Sequence, residues 1–418
     1  MATKSVAVAK SDFPLYCIQM IGDSHFVVAG GGGSARTGVP NAMDIYEIKF
    51  ENKTLCVNKV NHFETKSRAV MNCAVARQDK QFYLAAGLDN SCQLHTLRYK
   101  TMVPKNENEV LEGVRKRKNN LTNSANHNTA VKVIGFDLEP GDEIITDRSK
   151  DGFQKVVRFT HDIKYLLTAG ADGYLRCWEF PSLKLFREVH CHTNEIDDMD
   201  CSFDNKHVVT VSKDNTTCLW SLKSGSKEST LQWKSEFNST HRVRNCRFGF
   251  IKDKSNAYNL YTTHIPITRN KGKNSSCFIV KWETNNFTHV KQTCTGNEIL
   301  SAIAISEDGI FLGVGTISGS VSVYISFSLQ RLYHVASAHN IFVTGLEFAP
   351  HATSNRSGSG VENEFTLFSI SADNHIKLHQ QAYESSYSAC WVFVGFCIIV
   401  LFILWTLRYL HDAGWHVL

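Results

Sequence analysis

A fourteen-residue frame recurs along this chain and restricts its fold more than any other feature. Tyr165–Trp178, His207–Trp220 and Phe311–Tyr324 superpose without a gap, and Leu367–His379 and Leu84–His95 fit over slightly shorter lengths. Asp or Ser stands at one column (Asp89, Asp172, Asp214, Ser318, Asp373) with Gly or Asn after it, and six positions later comes an aromatic residue or His. A weaker copy ends at Trp282. The steps from Asp172 to Asp214 and from Ser276 to Ser318 are both 42 residues.

Each copy is an apolar run, a two-residue Asp-Gly or Asp-Asn turn, and an alternating run, which reads as strand, tight hairpin and strand. Another strand lies upstream, as at Lys155–Phe159 and Ala302–Ser306, ending in turn signals such as Glu307-Asp308-Gly309. A period of forty-odd residues with this content is that of WD-type blades. His192 and His339 take the position of the histidine that precedes the first strand of such a blade. The spacing therefore predicts an all-β, seven-bladed WD-type β-propeller, with blades near 13–64, 69–135, 153–190, 196–233, 242–294, 299–336 and 342–383. Seven blades close a ring that hides nearly every sheet edge. The blade His and Asp residues are read as structural hydrogen-bonding groups. Three polar segments break the period: 101–152, read as an insertion with the basic run Arg115–Lys118, and the Gly/Ser/Asn-rich stretches 264–276 and 351–363.

Near the C-terminus, Ala389–Leu407 has nineteen positions without a charge, twelve of them Val, Ile, Leu or Phe. Summed at helix-centre values these favour insertion by about 4 to 7 kcal/mol. A helix of that length spans about 28 Å, close to the hydrocarbon thickness of an endoplasmic-reticulum bilayer. Trp391 and Trp405, with Tyr387 and Tyr409 outside them, suit an interfacial aromatic belt. The expected layout is a cytosolic propeller over 1–386, a transmembrane helix over 389–407 and a short lumenal tail over 408–418. The N-terminus lacks a secretory h-region. Thirteen cysteines, an odd number without a C-x-x-C pair, fit reduced thiols buried in strands and give no zinc or disulfide pattern. The formal charge of +5 is mild for 418 residues.

In the first blade the two-residue hairpin turn is missing. Phe26–Ala29 runs instead into Gly30-Gly31-Gly32-Gly33-Ser34-Ala35-Arg36-Thr37-Gly38-Val39-Pro40-Asn41 before the next strand, Asp44–Ile48. Five glycines in nine residues carry an entropic cost. Such a segment is useful where its backbone takes conformations closed to other residues or approaches a ligand closely. It lacks the Lys-Ser/Thr of a phosphate-binding P-loop, and no crossover helix follows to make a dinucleotide site. A plain surface loop and a functional one both remain open on the residues alone.

At this loop the chain resembles a known family. A G-G-G-G-x-x-K/R-T-G-x-x-N loop in blade one, a seven-bladed propeller and a C-terminal anchor look like the endoplasmic-reticulum guanine-nucleotide exchange factors for the Sar-type GTPase of the COPII coat, the prolactin regulatory element-binding protein family. The likeness runs through Phe13–Tyr16, Arg68–Asn72, Thr168–Tyr174, Cys246–Gly249 and Gly315–Gln330. Arg36 stands where the nearest relatives are expected to carry lysine, a change that keeps the charge and alters hydrogen-bond geometry. The resemblance implies a potassium-binding loop, Gly30 to Gly38 with Asn41, that projects to engage the GTPase. Main-chain carbonyls would hold the ion, with no individual ligand assigned, and Asn41 matches the family's critical asparagine. It also implies no covalent chemistry, a single-pass endoplasmic-reticulum location and a role at the start of COPII coat assembly. Two other readings are a membrane-anchored propeller scaffold and a DNA-binding transcriptional regulator. No recognition helix or concentrated basic face supports the latter, so nucleic acid is not an expected partner.

Overall fold

The structure, a computed structural model, describes residues 5–35, 38–51, 54–102, 133–252, 254, 257–268, 276–350, 363–382 and 389–412. Contacts divide the chain into two units, Met1–Gln381 and Ala382–Leu418.

Seven four-stranded antiparallel sheets make up the first unit. The chain opens with β1 (Val6–Lys10). The first blade is then β2 (Leu15–Ile21), β3 (His25–Gly31), β4 (Asn41–Glu51) and β5 (Thr54–Glu64). The second is β6 (Val70–Gln78), β7 (Gln81–Leu88), β8 (Ser91–Met102) and β9 (Val133–Ile145). Blades three and four are β10 (Gln154–Phe159), β11 (Tyr165–Gly170), β12 (Tyr174–Glu179), β13 (Lys184–His190), and β14 (Ile196–Cys201), β15 (His207–Ser212), β16 (Thr217–Ser221), β17 (Lys227–Thr230). Blades five and six are β18 (His241–Phe250), β19 (Tyr258–Pro266), β20 (Cys277–Glu283), β21 (Thr288–Gly296), and β22 (Leu300–Ile305), β23 (Phe311–Thr316), β24 (Val321–Ile325), β25 (Gln330–Val335). Blade seven takes β26 (Val343–Phe348), β27 (Asn363–Ser371) and β28 (His375–Ala382), and β1 pairs with β28 as its fourth strand. The first strands of neighbouring blades touch in sequence, and β2 meets β26 to close the ring.

Burial explains the apolar runs. Each core lies between two adjacent blades, because successive strand residues point to opposite faces and both faces are covered. Phe26 and Val28 pack toward Phe368 and Ile370 of blade seven, whereas Val27 and Ala29 pack toward Val70 and Phe82 of blade two. The recurring frame has a chemical meaning. Its Trp donates the indole N–H to the Thr ten residues or more upstream: Trp178 to Thr168 Oγ1 (2.9 Å), Trp220 to Thr210 Oγ1 (2.9 Å) and Trp282 to Thr262 Oγ1 (2.7 Å). In blade seven His379 takes the Trp position, with Nε2 at 2.8 Å from Ser369 Oγ. His192 lies buried between Asp214 (3.0 Å) and Thr210 (2.7 Å), and His339 bridges Asp373 and Ser369 in the same way. These histidines hold blade turns together.

Three boundaries differ from the expectation. The span 101–152 contains β9, which completes blade two and is fastened to blade one by Asn61: its amide donates to Phe136 O and accepts from Phe136 N, both at 2.8 Å. Charged outer-strand residues disguised it as loop. The basic run Arg115–Lys118 lies outside the described residues. At the C-terminus the helix α1 runs over Ala389–Asp412, beyond Leu407, because no helix breaker appears before Gly414. Its apolar window is Phe393–Leu410, long and apolar enough to cross a membrane. Third, 264–276 begins inside β19. Among the described residues most cysteines, Cys17, Cys73 and Cys92 with them, are buried thiols.

Candidate functional site

Strand pairing puts Gly31 opposite Asn41, so the hairpin of blade one leaves β3 at Gly31 and re-enters at Asn41. Gly30 and Gly31, expected in the loop, are buried strand residues. Asn41 is the first residue of β4, three positions before the expected strand start. The connection proper is Gly32 to Pro40, on the face that also carries the Glu64–Val70 crossover between blades, whereas β28 ends on the opposite face.

Glycine is required at the base by proximity. A Cβ on Gly30 would lie 1.9 Å from the Pro14 carbonyl, and one on Gly31 would lie 2.2 Å from Asn41 Oδ1. Gly31 also donates its N–H to Pro14 O at 3.0 Å. Further out, Gly33 (φ 70°) and Gly38 (φ 79°) take left-handed conformations with open space around them. Ser34, Ala35, Gly38, Val39 and Pro40 are exposed. Arg36 and Thr37 lie outside the described residues.

Asn41 is 6% exposed and its side chain is spent within the chain. Oδ1 accepts from Gly33 N–H at 2.7 Å, and Nδ2 donates to Gly33 O at 3.1 Å and to Lys66 O at 3.0 Å. Its carbonyl accepts from Thr65 N–H at 2.9 Å. One amide thus joins the rising limb of the loop to the crossover. An amide suits this task because it offers donor and acceptor together.

The crossover is in turn fixed to blade two. Thr65 Oγ1 donates to Arg68 O (2.7 Å), and the Arg68 guanidinium forks onto Glu143 of β9, Nη1 to Oε1 at 2.5 Å and Nη2 to Oε2 at 3.0 Å. Ser91 adds a hydrogen bond to the same carboxylate at 2.5 Å. The Arg68 hydrogen bond, outweighing partial burial, holds the Glu143 carboxyl down at about 2. Lys66, Arg68 and Glu143 were not among the predicted site residues. Arg68 begins one of the segments that carried the family likeness, whereas Glu143 sat inside the span read as insertion.

The donor set of the loop fits a weakly charged cation. Between Gly32 and Pro40 there is no carboxylate, only main-chain carbonyls and the hydroxyls of Ser34 and Thr37. Hard divalent ions take carboxylate-rich shells. Among the described residues no group of three or more His, Cys, Asp or Glu side chains is placed to hold a metal.

Residues 183–221 match the family described as "WD domain, G-beta repeat". That match spans β13 of blade three and β14–β16 of blade four, so the sequence unit straddles two blades. Over 388 residues the chain is 33% identical to "Guanine nucleotide-exchange factor SEC12" of Mus musculus, covering 90% of each chain. The protein of the same description from Rattus norvegicus is also 33% identical over 90% of each. "SEC12-like protein 1" of Arabidopsis thaliana is 25% identical over 224 residues, 51% of this chain and 52% of its own.

Proposed function

We propose the function of this chain from one premise: it belongs to the SEC12 guanine nucleotide-exchange factor family. On that reading it is an exchange factor for a small GTPase of the Sar type. It acts at the endoplasmic-reticulum membrane with its propeller in the cytosol, where it starts COPII coat assembly. The apolar helix α1 supports a membrane anchor.

An exchange factor makes and breaks no covalent bond. It must bind the nucleotide-free GTPase more tightly than the GDP-bound form, since equal affinity shifts nothing. The loop supports this role through its clamped base. Ordering one residue costs about 1–2 kcal/mol, so a slack loop would lose much of its contact energy to its own ordering. With Asn41 tying Gly33 to Lys66, contacts from the exposed Ser34, Ala35 and Gly38–Pro40 act instead on the switch segments that hold Mg²⁺ and phosphate. GTP then enters and lowers affinity for the exchanger. Main-chain carbonyls of the Gly30–Asn41 loop would hold potassium, whose positive charge would let those dipoles converge.

The observation that carries the proposal is the Asn41 clamp beneath an exposed glycine loop. The test is GDP release from a Sar-type GTPase by the full-length protein in lipid nanodiscs, in potassium and in sodium. Asn41→Ala and Asn41→Asp are expected to slow stimulated release at least about tenfold while the melting temperature changes little, tenfold being about 1.4 kcal/mol of barrier. Aspartate fails too, because a carboxylate donates to neither Gly33 O nor Lys66 O. Wild-type rates in both variants would remove the clamp from the mechanism. Tight binding without release selects the scaffold reading, and duplex-DNA binding without exchange selects the regulator.

A further inference from the structure

We propose that the mouth of the central channel is a binding site for a small polyanion carrying phosphate-type oxygens. The site is built by a repeated backbone irregularity. In all seven blades the register of the innermost strand slips by one residue near its start, between Leu15 and Cys17, Val70 and Asn72, Gln154 and Val156, Ile196 and Asp198, Val243 and Asn245, Leu300 and Ala302, and Val343 and Gly345. A bulge leaves the extra residue unpaired and re-aims side chains. Residues at all seven slips line one cavity of about 270 Å³, open on the face that carries the glycine loop.

The ring is chemically lopsided. Blades three, four and five bring the charges Lys155, Arg158, Asp197, Asp198, Arg244 and Arg247 to the cavity, four basic and two acidic. The carboxylates there are each divided between two cations. Asp197 takes Arg242 and Arg244, both at 2.5 Å. Asp198 takes Arg247 at 2.6 Å and Arg158 at 3.5 Å. At the rim Glu195 takes Lys155 at 2.9 Å and Lys213 at 2.7 Å. Two-to-one sharing leaves a positive surplus that persists after counting Asp200, 3.9 Å from Arg158. Glu347 lines a separate cavity toward the other end; it feels the charges of Arg158 and Arg247, but burial pushes its carboxyl up to about 7, so it offsets little of the surplus.

Arg158 shows where the surplus points. Its guanidinium has five N–H donors, yet it makes one short hydrogen bond, to Val157 O at 2.8 Å, and its two ion pairs are long. Its cation is disfavoured by burial and then by the neighbouring charge of Arg247. An anion between β10 and β18 would relieve that repulsion and accept those donors. Guanidinium forks match phosphate oxygens in bidentate fashion, and cations on both sides of β14 favour a ligand with charge at two ends. A diphosphate meets both conditions.

The test is calorimetric titration of the full-length protein in nanodiscs with pyrophosphate, and separately with inorganic phosphate, at low ionic strength. One saturable site per chain is expected, tighter for pyrophosphate and weakened by salt. Arg158→Gln is expected to weaken it at least about tenfold, equivalent to about 1.4 kcal/mol. Arg244→Gln guards against a folding defect in that variant, because its side chain is 34% exposed and Asp197 keeps Arg242 as a partner. It is expected to weaken binding several-fold with an unchanged melting temperature. No saturable binding of pyrophosphate, or binding untouched by Arg244→Gln, would overturn the proposal. GDP-release rates measured beside it report on the loop independently.

Discussion

Two buried histidines show how tightly protonation is tied to the fold. Burial, followed by the charges of His241 and His289, holds His264 down at about 3; burial, followed by His339 and Lys377, does the same for His379. Their folded values lie below the ordinary 6.5, so the neutral form is the one that folds. Their contribution to stability is complete above about pH 6.5 and is lost as pH falls from there toward 3. Denaturation midpoints measured between pH 7 and 4.5 are expected to drop progressively. His379→Gln, which keeps a hydrogen bond to Ser369 without titrating, is expected to flatten that slope. An unchanged slope would show that His379 does not titrate in this window. The Asn41 clamp belongs to the same class: its value lies in which partners an amide satisfies, and isosteric Asp removes two of them.

At the scale of elements, the glycine loop is one end of a chain of contacts. Asn41 holds the crossover at Thr65 and Lys66, Thr65 holds Arg68, and Arg68 holds Glu143 on β9. Blade two therefore sets where the loop of blade one stands. Arg68→Gln is expected to reduce stimulated GDP release several-fold while lowering the melting temperature by only a few degrees, since a part-exposed ion pair contributes little to global stability. Arg68→Lys is expected to recover little activity, because an ammonium lacks the fork. Exchange at the wild-type rate in Arg68→Gln would show that the crossover does not position the loop. The strand β9 was hidden in the sequence by its own chemistry. Its face is polar, and its identity comes from pairing with β8 and from the amide zip to Asn61.

For the whole molecule, the last blade is completed by five residues from the other end of the chain. Val6 to Lys10 complete blade seven through Val6–Leu378 and Lys10–His375 pairing, and Ser11 N–H donates to Asn374 O at 2.8 Å. The WD sequence unit begins with the outer strand of the preceding blade, so a chain of such units leaves one strand to be supplied from the other end. Deleting residues 1–10 is expected to expose the edge of β28, lowering the melting temperature and promoting association. A truncated protein that melts and sediments as the full chain does would refute this role for β1.

The sequence alone determined the blade count, the hairpin frame, the apolar span and the unusual loop, because each is a local pattern with a fixed period or composition. Short-range sterics and alternation write such features directly into residue order. Only the tertiary structure decided that β1 closes the ring, that β9 belongs to blade two, and that Asn41 is turned inward onto Gly33 and Lys66. It alone brought seven bulges to one channel mouth. These outcomes depend on partners far apart along the chain, and no local pattern encodes which distant carbonyl, carboxylate or strand edge will arrive within bonding reach.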